Sequence, residues 1–226
     1  RRITSKNSFF AFLAAMALLL SAMLHASPAA ARTDWQSCDP HKDKVLFVVG
    51  YAHLDTQWRW TYQDSINTYI PNTMYFNFDL LEKYPDYHFN FTGARRYAMM
   101  KEYYPADYKR VKDYIAKGRW YVAGSSVDEN DANVPSPESI IRQVLYGNRW
   151  FKKEFNKTSE DYMLPDCFGF SASLPAALAH AGVKGFSTQK LTWGSPIGIP
   201  FDVGIWEGPD GSSMPAALRP QTYSSK

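Results

Sequence analysis

The chain has few cysteines, no long apolar run and little net charge. Its two cysteines, Cys38 and Cys167, are not spaced as C-x-x-C, which excludes a zinc knuckle built on thiolates. One disulfide or two separate thiols both fit them. A formal net charge of +3, part of it from Arg1, Arg2 and Lys6, gives no basis for a nucleic-acid partner or binding to an anionic membrane. The longest apolar stretch, Phe9 to Leu20, falls short of the roughly 20 residues of a spanning helix. No internal repeat or low-complexity tract is present, and no initiator Met, which reads as a chain cut at its start.

What stands at the N-terminus has the order of a secretory signal: a basic start, the apolar run, then the small-residue stretch Ala26-Ser-Pro-Ala-Ala-Ala-Arg32. Residues 1–31 are therefore expected to be a signal peptide and 32–44 a polar linker arm. The mature protein is expected to be periplasmic or extracellular, with no stable membrane span after cleavage. No Cys lies near the cleavage region to carry a lipid. An uncleaved anchor is the alternative. Aromatic residues make up 16% of the chain, which suits either a large aromatic core or a sugar-binding cleft.

From Val45 the pattern alternates between strands and helices. Val45-Leu-Phe-Val-Val-Gly-Tyr51 reads as a strand buried on both faces, and Ser65 to Lys83 as a helix. His88–Thr92, Trp120–Ala123, Tyr162–Pro165 and Val183–Thr188 read as further strands. Helices are predicted near Ala94–Glu102, Ala106–Lys117 and Leu174–Ala181, with Pro105, Gly118 and Gly182 as boundaries. Ser136-Pro137-Glu138 is a helix start. The helix after it would place Ile140, Val144, Leu145, Phe151 and Phe155 on one face. This order implies a parallel sheet covered by helices. Val203–Leu218 reads instead as a hairpin turning at Pro209-Asp-Gly211. The pattern runs on to Lys226 without a stop, as in a piece of a longer domain.

Polar residues gather where strands end. His53 and Asp55, two apart in an extended segment, project to one side and offer a nitrogen and a carboxylate to a divalent cation. Alternatively the two bond to each other or to backbone. Asp166 ends the fourth strand, where α/β sheets place their sites; capping the following turn is its other reading. Asp128, Glu129 and Asp131 follow the third strand, either lining a sugar pocket or forming a solvated loop. Lys190 follows the fifth, as a partner for a hydroxyl or carboxylate or as a surface charge. His41 and His180 read as a solvated arm residue and a helix-face residue. The sequons Asn90-Phe-Thr92 and Asn156-Lys-Thr158 matter only in a eukaryotic secretory pathway, and chance accounts for them equally well.

Several of these segments resemble glycoside hydrolase family 38, the retaining α-mannosidases. His53-Leu-Asp55-x-x-Trp58 resembles the family's H-x-D-x-x-W signature, and Asp166-x-Phe-Gly-x-Ser171 its D-x-F-G-x-S nucleophile motif. Ala132-Asn133-Val-Pro-Ser-Pro-Glu138, Thr188-Gln-Lys190-x-x-Trp193 and Trp206-Glu-Gly-Pro-Asp-Gly211 follow in the family's order. The resemblance spans about Val45 to Leu218. It implies an α/β fold, an incomplete seven-stranded (β/α) barrel-like catalytic domain with parallel strands and covering helices, whose N-terminal part would be residues 45–226. It further implies one zinc ion held by His53, Asp55 and Asp166, with a fourth ligand beyond Lys226. Asp166 would double as nucleophile, and the general acid/base would also lie beyond Lys226. Trp58 would form the floor under a mannose, Lys190 would stand near the nucleophile, and Asp131 would match an acid before Asn133. The implied substrate is a terminal α-mannoside of an oligosaccharide. A metal-dependent carbohydrate deacetylase and an inactive sugar-binding fragment remain alternatives, because H-x-D sites serve deacetylases too and because ligands are missing.

Overall fold

The computed structural model describes Asp39 and residues 41–44, 48–192 and 202–218. The expected signal peptide, Cys38 and Trp193 lie outside those residues. The chain divides into two units, Arg1–Phe47 and Val48–Lys226. In the first, the described residues form a turn in which Asp39 pairs with Lys42 at 3.0 Å. Among the described residues no helix is long and apolar enough to cross a membrane.

Strand β1 is Gly50–Tyr51. A loop leads to the short helix α1, Tyr62–Asp64, closed at its start by a capping box in which Thr61 and Asp64 bond each other's backbone amides. The helix widens into a π segment, Ser65–Tyr69, and continues as α2, Ile70–Lys83. Pro71 lacks the N–H that would bond one turn back, and the wide turn precedes it. Then come β2 (Phe89–Thr92), α3 (Ala94–Tyr103), α4 (Pro105–Ala116) and β3 (Trp120–Ala123). Tyr104 leaves the helical region, at φ −133° and ψ 57°, before Pro105, which separates α3 from α4. Helix α5, Pro137–Phe155, begins with the Ser136 hydroxyl accepting from the Ser139 amide. Strand β4 (Asp161–Met163), α6 (Leu174–His180), β5 (Gly185–Thr188), β6 (Val203–Glu207) and β7 (Ser213–Leu218) complete the order.

The strands form two sheets. One is parallel, in the order β1-β2-β3; the other has the order β4-β5-β7-β6, parallel except for β6. The hairpin expected at Pro209–Gly211 is there, but β7, not β6, pairs with β5, so the hairpin enters the sheet by its second strand. Between β3 and β4 the junction is a side chain: Asp161 Oδ2 accepts from the Gly124 amide at 3.1 Å. The parallel strands and covering helices match the expectation. The described ladders stop short of the single seven-stranded barrel, since none joins the two sheets.

Each sheet has its own core. Phe78, Phe89, Phe91, Tyr97 and Trp120 centre the first, where α2 and α3 cover β2 and β3. Tyr162, Leu164, Leu178 and Phe186 centre the second. Two expectations change. The apolar run before Tyr51 is not buried at Val48 and Val49, which are 79% and 47% exposed, because the ladder begins only at Gly50 and these two residues precede it. Leu145 is half exposed: the buried stripe of α5 runs Ile140, Val144, Gly147, Phe151, and Leu145 lies about 100° around the helix from Val144.

Candidate active site

The site lies beyond the C-terminal ends of β1, β3, β4 and β5, the end at which parallel α/β sheets carry their polar groups. From β1 come His53 and Asp55; from β3 the loop with Asp128 and Glu129; from β4 Asp166; from β5 Lys190. His53 Nε2 is 3.3 Å from Asp55 Oδ1 and 3.6 Å from Asp166 Oδ2. One ligand atom each from His53, Asp55 and Asp166 falls within a 4.8 Å cluster. An imidazole nitrogen with two carboxylates is a suitable donor set for a divalent cation such as zinc.

The electrostatics also fit a cation. Burial raises the Asp55 pKa, and the nearby charges of Asp166 and Glu129 add to that against the pull of His53. Burial disfavours a charge on His53, yet the hydrogen bond with Glu129 and the charges of Glu129, Asp55 and Asp166 raise its pKa overall. Positive charge is favoured at this point, and a metal ion would satisfy the same field.

The helix after Asp166 takes Ser173 as its N-cap, and the two oxygens of Asp166 have different neighbours. Oδ2 faces His53, and Oδ1 stands 2.5 Å from Lys190 Nζ. Lys190 is therefore no surface charge: its side chain is 9% exposed, and its ammonium also lies 5.0 Å from the centre of the Phe168 ring.

Trp58 is exposed, with the Arg59 guanidinium 4.4 Å over its ring and Trp60 edge-on. Asp131 is exposed, and its Oδ1 accepts from the amides of Asn133 and Val134 at 2.7 and 2.8 Å, so this carboxylate shapes its own loop. Those two amide bonds hold its pKa down. His41 and His180 are exposed, as expected. Cys167 is a buried free thiol whose Sγ donates to Asn130 O; burial, then the nearby acids, push its pKa up to about 12.

Of the three acids read as pocket lining or solvated loop, Glu129 turns inward, its Oε2 3.1 Å from His53 Nδ1. One further residue, Arg96, escaped the sequence reading. Arg96, from α3, is almost fully buried and joins the loops: Nε donates to Leu54 O at 2.5 Å, an Nη1 proton goes to Thr92 O, and Nη2 lies 3.3 Å from Asp128. Asp128 also accepts from Thr56. The only sequence signal for Arg96 was an arginine in the first turn of a helix behind a strand.

The motif glycine of Phe168-Gly169 has a steric reason. Its φ is +120°, and a Cβ there would meet Asn133 Nδ2 at 2.8 Å. The segment around Asp166 and the Asn133-x-Pro135 segment thus meet through this glycine.

Fold and site place the chain among α/β proteins whose acid, imidazole and ammonium groups converge at parallel strand ends. Residues 43–226 match the family profile "Glycosyl hydrolases family 38 N-terminal domain". The chain belongs to glycosyl hydrolase family 38. It is 38% identical over 186 residues to alpha-mannosidase G of Dictyostelium discoideum, an alignment covering 80% of this chain and 17% of that protein. It is 33% identical over 170 residues to human alpha-mannosidase 2C1, covering 75% and 16%. A crystal structure of an alpha-mannosidase from Enterococcus faecalis V583 superposes with a TM-score of 0.66 at 22% identity, covering 78% of this chain and 20% of that one, which shows a shared fold. The chain thus spans less than one fifth of the length of these two sequence relatives.

Proposed function

We propose that the protein to which these residues belong is a retaining α-mannosidase that hydrolyses terminal α-mannosides with the help of one zinc ion. The observation that carries this reading is the meeting of His53, Asp55 and Asp166 within 4.8 Å, with Lys190 closing on the second Asp166 oxygen. Family membership and the alpha-mannosidase relatives support the substrate class.

In this reading His53, Asp55 and Asp166 hold the zinc, and a further ligand comes from a part of the protein outside these residues. Zinc held there would supply positive charge to bind sugar hydroxyls beside the anomeric centre and to favour an electron-poor ring. Asp166 attacks the anomeric carbon; a carboxylate–sugar bond forms as the glycosidic bond breaks, giving a covalent glycosyl-aspartate. An acid from outside these residues protonates the leaving oxygen and then activates the water that releases mannose with its configuration retained. Lys190 fixes the direction of the Asp166 carboxylate. The exposed face of Trp58 offers the sugar an apolar floor, and Asp131 stands at the rim as a hydroxyl acceptor. The pattern of residues 1–31 supports export to the periplasm or the cell exterior.

The test is the full-length protein assayed on an aryl α-mannoside with and without chelator, alongside Asp166→Asn. Chelator-sensitive release of the aryl group, abolished in the variant, is expected. Full activity in Asp166→Asn would remove the nucleophile assignment, and release of acetate from an acetylated sugar would favour a deacetylase.

A further inference from the structure

Of the three acids after β3, Glu129 is the one turned away from solvent. Its side chain is 10% exposed, and each oxygen has its own set of donors. Oε1 accepts from the Tyr51 hydroxyl at 3.1 Å and the Thr92 hydroxyl at 3.0 Å, with Arg96 Nη2 at 3.6 Å. Oε2 faces His53 Nδ1 at 3.1 Å. Tyr51 ends β1 and Thr92 ends β2, so the sheet itself sets the plane of this carboxylate.

We propose that Glu129 is a positioning residue for the metal site: it holds the Nδ1–H tautomer of His53 and aims the Nε2 lone pair between Asp55 and Asp166. The inference rests on the zinc reading above. Its logic is donor counting. Tyr51, Thr92, Arg96 and the Nδ1–H of His53 are all donors, and a carboxylate accepts at both ends. A glutamine at 129 would have to turn its NH2 toward one set. Facing His53, it would force the proton onto Nε2, where the ligand lone pair is needed. Facing Tyr51 and Thr92, it would oppose their hydroxyls and Arg96. Carboxylate–imidazole–metal relays of this kind orient the ligand and raise its basicity, and their loss lowers metal affinity about 10–100-fold.

The experiment uses the full-length protein. Zinc affinity is measured by competition with a chromophoric chelator for the unsubstituted protein, Glu129→Gln and Glu129→Asp. The aspartate keeps the charge but, one methylene shorter, withdraws it from His53, and so serves if the glutamine variant folds poorly. The unfolding midpoint of each metal-free protein and the visible spectrum of each cobalt-substituted form are recorded beside it. Expected is a 10-fold or greater loss of zinc affinity with shifted cobalt bands, in at least one variant whose metal-free midpoint is unchanged. Unaltered affinity and spectrum in the folded variants would overturn the inference, as would affinity losses that merely follow lost folding in both. If the unsubstituted protein itself binds no zinc, the metal reading fails and takes this inference with it; if it binds zinc and the variants bind it equally, only the role of Glu129 falls.

Discussion

Lys190 Nζ lies 2.5 Å from Asp166 Oδ1, and both side chains are largely screened from solvent. Lys190→Met would leave that oxygen without its ammonium partner while the His53 side of Asp166 stays in place. The expected result is a fall in kcat/KM on aryl α-mannosides of about 100-fold, the scale of losing one fixed electrostatic partner. Zinc content, measured on the same samples, is expected to be nearly unchanged, which separates this role from metal holding.

Gly169 combines a left-handed φ of +120° with a close approach to Asn133. Gly169→Ala is expected to cost about 1–3 kcal/mol of stability from backbone strain, with the steric clash in addition. Urea unfolding checks this. Adding Asn133→Gly should recover only the steric share, since the backbone strain remains.

Gly147, mid-helix in α5, sets two effects against each other. Alanine there would gain about 1 kcal/mol of helix propensity. Its Cβ would however stand 2.4 Å from the Ser126 carbonyl carbon and 2.7 Å from Ser125 O. Those are backbone atoms that cannot rotate away, and overpacking typically costs about 1–3 kcal/mol. Gly147→Ala is therefore expected to lower the unfolding midpoint and to loosen the loop that carries Asp128 and Glu129, readable as faster amide exchange over residues 125–131.

Glu154 ties α5 to α3 and α4 through Lys101 at 2.7 Å and the Tyr108 hydroxyl at 3.1 Å. Burial works against its charge, but these partners hold its pKa below the usual value. A depressed folded pKa stabilises the protein above the ordinary glutamate range, about 4.3, and that gain is lost as pH falls through the folded value. Lys101→Met should thus be the less stable protein at pH 7, by up to about 1 kcal/mol for so exposed a lysine. The gap should close on acidification. Denaturant titrations at pH 7 and pH 3 measure it.

The two sequons differ in the fold. Asn156 is the exposed left-handed cap after α5, whereas Thr92 is 1% exposed and Asn90 lies in the central strand of its sheet. Folded protein secreted from a eukaryotic host is expected to carry glycan at Asn156 and none at Asn90. Mass spectrometry of glycopeptides decides it, and Asn156→Gln should remove the glycan from the peptide that carries it.

The helix boundaries at Pro105, Gly118, Ser136 and Gly182, the strand ends, and the three residues of the candidate metal cluster were legible in the sequence, because caps, glycine turns and alternation act over a few residues, whereas the capped start at Thr61 was not. So was the hairpin at Pro209–Gly211. What the sequence could not determine was which polar group meets which. Glu129 and Asp131 stand two positions apart in one acidic loop, yet one is buried against His53 and the other is exposed. That choice is made by Tyr51, Thr92 and Arg96, which converge from β1, β2 and α3 and lie 33 to 78 positions from Glu129 along the chain. Lys190 likewise reads as any lysine until β4 and β5 pair and bring it onto Asp166. Local chemistry therefore set the elements and the ligand types, whereas long-range packing set their partners, because burial of a charge is decided only where distant donors meet it.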